Sequence, residues 1–328
     1  MAASAKMMTK SSAEPGKSVT LVFEQGRLAV EEKEIKVGHN ATPPVPVLIV
    51  APKDAGTYPV AMLLHGFCLE NHHYKHLLRH IASHGFIMVA PKIHQTIMHT
   101  GQHDINEAAK VADWLPDGLP SVLPKGVKPE LLKLAVAGHS RGGHTAFSLA
   151  LGHAKTRLRF SAFIGIDPVA GQGKDSHLEP TILIDNPSYF DMAARPVLVI
   201  GTGLGEVGKT IHNIPILPFS HWPPGAPKGV NHVQFYGKCR PPCYYFVTKD
   251  YGHVDMLDDD AIGLHNLFCK RGDGCKDKMR RCVAGIMVAF LNAALGEKHD
   301  GDLEAILTDP AVAPIMLDPV KHHPTSPK

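Results

Sequence analysis

Short, uninterrupted apolar runs alternate along the chain with stretches of helical spacing. The runs at 58–67 (YPVAMLLHGF), 86–91 (FIMVAP), 133–140 (KLAVAGHS), 160–167 (FSAFIGID), 195–203 (RPVLVIGTG) and 244–250 (YYFVTKD) read as buried strands. Between them, 71–85 carries Tyr74, Leu77, Leu78, Ile81 and Ala82 on one helical face and stops at Gly85. Helices are also predicted at 105–115, 142–152 and 284–295. Strands apolar on both faces and separated by helices predict an α/β fold, a mostly parallel central sheet with helices on both faces. The opening runs 18–26, 28–35 and 44–52 are β-rich and closely spaced, which predicts an antiparallel edge at the N-terminal end.

The flanks and one internal stretch break this alternation. Residues 1–17 are small and hydroxylated, with no acid before Glu14 and no apolar core of a secretory signal. They read as a disordered tail, with a weak targeting segment as the alternative. Residues 18–310 read as one catalytic domain and 311–328 as a flexible C-terminal tail. Segment 203–242 is rich in Pro, Gly and His and lacks periodicity, which predicts a long loop covering a site.

Composition narrows the class. The chain has 328 residues, 44% hydrophobic and 20% charged, with a net charge of +3. That charge, without a basic stripe, argues against a nucleic-acid partner. No apolar run is long enough to span a bilayer. The six cysteines (Cys68, Cys239, Cys243, Cys269, Cys275 and Cys282) lack paired C-x-x-C spacing, and loop disulfides or free thiols are expected in place of zinc. No metal and no cofactor are expected.

The chemistry sits at Gly138-His139-Ser140-Arg141-Gly142, a G-x-S-x-G string between a predicted strand and a predicted helix. Such a turn holds a serine hydroxyl above the sheet, at a helix N-terminus that favours developing negative charge. A serine hydroxyl needs a base, and His253, in the loop after the last strand, holds the place in chain order where this architecture puts it. Two carboxylates end successive strands in between: Asp167, stiffened by Pro168, and Glu206. Asp167 is favoured as the acid and Glu206 is the alternative; "GIDPV" resembles the acid turn of pancreatic lipases. The backbone N–H groups of Phe67 and Arg141 are the expected oxyanion donors. His65, Met98, Phe219 and Trp222 are candidates for contact with substrate, with His99 and His221 beside them.

Taken together, these pieces resemble an α/β-hydrolase. The words "LLHGF", "GHSRGG", "GIDPVAG", "VIGTGLGE", "YGHVDMLDDD" and "CKRGDGC", in that order from about Val19 to Leu295, resemble the plant chlorophyllase family. The resemblance implies cofactor-free hydrolysis of the phytyl ester of chlorophyll, or of a related phytylated tetrapyrrole, with a triad carried onto Ser140, Asp167 and His253. It also implies a chloroplast location and peripheral contact with a membrane; cytosol or another membrane-adjacent compartment is the alternative. The elbow by itself implies only acyl transfer. A general carboxylesterase or lipase, and a non-catalytic binding protein on the same fold, are the competing readings. Oligomeric state is not legible.

Overall fold

A computed structural model of the chain describes residues 21–38, 42–95, 99–185, 189–210, 221–261, 269–296 and 301–323. The first half contains strands β1 (Val30–Ile35), β2 (Val47–Pro52) and β3 (Gly56–Leu64), helix α1 (Lys75–Ser83), β4 (Ile87–Pro91) and α2 (Gly101–Val122). Next come β5 (Val127–His139), α3 (Arg141–Ala150), β6 (Ala162–Ile166), the short β7 (Gly171–Gly173) and β8 (Ser176–His177), and β9 (Val197–Thr202). They are followed by β10 (Lys209–Thr210), β11 (His221–Trp222), α4 (His232–Lys238), β12 (Cys243–Thr248), α5 (Lys276–Leu295), α6 (Asp302–Thr308) and β13 (Leu317–His323).

Nine strands form one sheet in the order β1-β2-β4-β3-β5-β6-β9-β12-β13. From β4 to β12 every neighbouring pair is parallel, and β1, β2 and β13 join antiparallel. Side chains alternate between two cores, as the two-residue period of a strand requires. Ala61 and Leu63 of β3 point into a core with Leu77, Leu78 and Ile81 of α1 and Val283, Ile286 and Phe290 of α5. Met62 and Leu64 point the other way, onto Ile105 and Leu115 of α2, Phe147 of α3 and Phe235 of α4. The sheet is thus covered on both faces, which is why its central strands are apolar throughout.

Four expectations are corrected. Residues 21–23 of the expected strand 18–26 form a 3-10 turn, with Val22 and Phe23 buried against α5. Helix α2 runs through Pro116 and Pro120 to Val122. Its stripe of Ile105, Ala108, Val111, Ala112, Leu115 and Leu119 is buried, and that burial outweighs the local cost of the prolines. Segment 203–242 is not one loop: β10 pairs with β11, and α4 packs Phe235 and Tyr236 into the core. Asn231 starts α4 with a capping box, its side chain accepting from Val233 N–H. Finally, residues 317–323 of the expected tail are an edge strand, paired antiparallel with β12 from Cys243–His323 to Phe246–Val320 and, past a register shift, at Thr248–Leu317. The six cysteines are free thiols.

Candidate active site

Ser140 is the single residue between the end of β5 and the start of α3, which it N-caps. Its backbone is left-handed (φ 55°, ψ −125°), a conformation that costs a non-glycine residue about 1–3 kcal/mol and recurs at functional sites. The flanking residues must be glycine because strand and helix pass so closely. A Cβ at Gly138 would lie 2.0 Å from Gly142 O, and one at Gly142 would lie 2.2 Å from Leu64 O. Ser140 N–H donates to Ile166 O at 3.1 Å, and Val169 N–H donates to Ser140 O at 3.0 Å, so the turn is stitched to the end of β6.

That stitching brings the C-terminal ends of the strands to one place. His253, after β12, sets its Nε2 2.9 Å from Ser140 Oγ and its Nδ1 2.7 Å from Asp167 Oδ2. A carboxylate only accepts, so Nδ1 carries a proton and Nε2 faces the hydroxyl as the acceptor. Asp167 is fully buried, at the end of β6. It also accepts from Thr202 Oγ1 at 2.6 Å and Thr202 N–H at 3.2 Å. Burial works to raise the Asp167 carboxyl. The hydrogen bond and charge of His253, with His232 and Thr202, override it and bring the pKa down to about 2. A carboxylate that stays ionised beside an imidazole stabilises the imidazolium form.

Glu206 stands elsewhere. It is exposed and accepts from Asn231 Nδ2 at 2.7 Å. The second histidine near the acid is His232, whose Nε2 is 3.8 Å from Asp167 Oδ1 and whose Nδ1 is 2.8 Å from Tyr245 Oη. Burial lowers the His232 pKa, opposed by the charges of Asp167 and Glu206.

Arg141 is the first residue of α3, so its N–H has no partner within the helix. Its side chain is buried and clamped. Nε donates to Asp104 Oδ2 at 2.6 Å, and Nη2 donates to the carbonyls of His99 and Thr100 at 2.7 and 3.2 Å. The guanidinium lies 5.4 Å from the centre of the Phe67 ring, so the side chains of the two expected oxyanion donors touch.

The remaining expected site residues divide. His65 is 3% exposed. Ile93 N–H donates to its Nε2 at 3.0 Å, and its Nδ1 donates to Gly66 O at 2.9 Å. Both nitrogens are therefore committed to backbone, and His65 braces the turn in place of presenting a nitrogen to a ligand. Met98 and Phe219 lie outside the described residues, and Trp222 is described only as backbone of β11. Sequence reasoning missed Thr202, Asp104 and His232 as neighbours of the site. Of these, only Thr202, two residues after the apolar end of β9, stood at a strand end where it was open to notice. Among the described residues no group of His, Cys, Asp and Glu side chains is arranged to hold a metal ion. No helix among them is long and apolar enough to cross a membrane.

A mostly parallel sheet with helices on both faces, carrying a serine on a strand–helix elbow, is the α/β-hydrolase fold. The family model described as Chlorophyllase matches residues 18–324. Chlorophyllase-1 of Arabidopsis thaliana is 43% identical over 307 residues, covering 90% of this chain and 91% of that protein. Chlorophyllase-2 of the same plant is 44% identical over 274 residues, 81% of this chain and 82% of the relative. A protein of Citrus unshiu named "Chlorophyllase-1, chloroplastic" is 44% identical over 313 residues, 92% of this chain and 88% of its own length. The chain belongs to the chlorophyllase family.

Proposed function

We propose that this chain is a chlorophyllase, hydrolysing the phytyl ester of chlorophyll to chlorophyllide and phytol with Ser140, His253 and Asp167 as nucleophile, base and acid. The observation that carries the mechanism is the pair of hydrogen bonds at His253, 2.9 Å to Ser140 Oγ and 2.7 Å to Asp167 Oδ2. The substrate follows from the family and from relatives named for the same activity over most of the chain.

In this mechanism His253 Nε2 takes the Ser140 proton as Oγ attacks the ester carbonyl carbon. The negative charge on the carbonyl oxygen meets the N–H groups of Phe67 and Arg141. Asp167 holds the proton on His253 Nδ1 and offsets the imidazolium charge. Collapse of the tetrahedral species breaks the bond to phytol, whose oxygen takes the proton from His253. A water molecule, deprotonated by His253, then attacks the acyl carbon; the bond to Ser140 Oγ breaks, Oγ regains its proton from His253, and chlorophyllide is released. Every step is acyl transfer and proton transfer, supplied by side chains and backbone of this chain.

The chloroplast is the proposed compartment, by analogy with Citrus relatives whose names include "chloroplastic". Peripheral membrane contact is part of the same proposal, since a phytylated substrate partitions into bilayers. The test is hydrolysis of detergent-dispersed chlorophyll a against a short p-nitrophenyl ester, with chlorophyllide and phytol separated chromatographically. A higher kcat/KM on chlorophyll a is expected. Turnover of the short ester with no chlorophyllide formed would make the chain a general esterase.

A further inference from the structure

Behind the site, a buried chain of hydrogen bonds links the turn after β3, the end of β5 and the loop after β12. Gly66 N–H, in the turn after β3, donates to Tyr74 Oη at 3.1 Å. Tyr74 Oη is 2.8 Å from Nδ1 of His139, the residue before the elbow serine. His139 Nε2 is 2.9 Å from the backbone carbonyl of His253. Tyr74 and His139 are both 0% exposed. Their rings meet edge to face, and the His139 ring lies 4.7 Å from the ring of His253.

The direction of each bond follows from the ends. The carbonyl of His253 only accepts, so His139 Nε2 bears the proton. In the neutral ring Nδ1 is then an acceptor, so Tyr74 donates to it, while Tyr74 Oη accepts from Gly66. The protons run one way, from the oxyanion turn through the elbow to the base.

We infer that Tyr74 and His139 are positioning residues, locking the turn that carries the Phe67 N–H, the elbow and the His253 loop into one geometry. The inference rests on reading Ser140 and His253 as nucleophile and base. Gly66 and His253 lie in loops beyond the ends of β3 and β12, and His139 is the last residue of β5, so their parent strands fix the three positions relative to one another only in part. The Tyr74–His139 link adds a direct tie between the group that holds the proton and the turn that meets the oxyanion. A misplacement of about 1 Å in such a constellation costs on the order of 10²-fold in rate. Burial pushes the Tyr74 phenol up, against the Gly66 N–H, so the hydroxyl keeps the proton that it donates. An arrangement serving only to fill the core would be met equally well by an apolar pair.

The test compares His139→Gln with His139→Leu, and Tyr74→Phe with the parent, each with kcat and KM measured separately. Glutamine offers an acceptor towards Tyr74 and a donor towards the His253 carbonyl; leucine offers neither at similar volume. His139→Gln is expected to turn over at least about tenfold faster than His139→Leu, with KM within about twofold. Tyr74→Phe is expected to lose about 10- to 100-fold in kcat, and to shift the His139 Nδ1 resonance in ¹⁵N-imidazole NMR. Equal kcat for the Gln and Leu variants, or a Tyr74→Phe kcat within about twofold of the parent, overturns the inference. If Tyr74→Phe does not fold, the His139 pair decides alone. A Ser140→Ala control that stays active would overturn the underlying assignment instead, so the two failures are distinguishable.

Discussion

His253 Nε2 lies 2.9 Å from Ser140 Oγ across 113 residues of chain. Strand order makes this contact: β5 is central, and β12 lies three strands away, beyond β6 and β9. Their C-terminal loops therefore open on the same edge of the sheet, where α/β folds of this kind place their sites.

Aim is what supports Asp167 as the proposed acid. Asp167 Oδ2 is 2.7 Å from His253 Nδ1, while Glu206 is held by Asn231. Asp167→Asn is expected to lower kcat by about 10⁴-fold, because the amide no longer stabilises the imidazolium or enforces its tautomer. Glu206→Gln is expected to cost less than about tenfold, since the amide oxygen still accepts from Asn231 and the side chain does not reach His253. Steady-state kinetics on the two purified variants checks the ranking, and the reverse order would move the acid to Glu206.

The elbow was legible because its constraints are local. Gly138 is demanded by a contact with Gly142, four residues on, so that pair is written side by side in the chain; Gly142 is demanded by the approach of Leu64 O, which the chain order alone does not show. His253 was legible through strand order. Asp167 is favoured over Glu206 for its proline-stiffened turn, but the sequence leaves Glu206 open, because only tertiary geometry tells which carboxylate reaches the imidazole. Tyr74 read as one more apolar position on a helix stripe, and its hydroxyl gains meaning only beside His139. Helix α4 is seven residues long, too short to show a period, and its start depends on the Asn231 cap. Strand β13 is mostly exposed, and its pairing with β12 is through backbone, so no side-chain alternation announced it.

The clamp on Arg141, one of the two proposed oxyanion donors, is expected to matter for stability. Arg141 and Asp104 form a buried pair with side chains 9% and 0% exposed. Removing one partner of a buried pair leaves the other charge uncompensated, at a cost of about 3–5 kcal/mol. Asp104→Ala is expected to lower unfolding free energy by about that amount and to reduce kcat, since the Arg141 backbone loses its anchor. Urea titration alongside kinetics checks both. A loss below about 1 kcal/mol would mean that the carbonyls of His99 and Thr100 hold the guanidinium unaided.

Acid sensitivity has an identifiable contributor in His144. Burial brings its pKa down to about 4, against the bond from its Nε2 to the Pro180 carbonyl at 2.9 Å. A histidine with a lowered folded pKa binds its proton more readily in the unfolded chain. Its stabilisation is therefore complete above the unfolded value of about 6.5 and is lost as pH falls towards 4. His144→Gln keeps a donor for Pro180 and removes the titration. Between pH 7 and pH 4.5 the wild type is expected to lose about 2 kcal/mol more than this variant. Denaturant unfolding at the two pH values measures it, and parallel losses would refute the assignment.

The central claim is that Ser140 carries out the hydrolysis of chlorophyll, and chlorophyllide formation by Ser140→Ala tests it most directly. The side chain is small and sits in the turn, so its removal leaves no sizeable cavity and the melting temperature is expected to hold. The account predicts that chlorophyllide formation from chlorophyll a falls by about 10⁴-fold or more in kcat. Retention of about a tenth or more of the wild-type rate by the folded variant would contradict it.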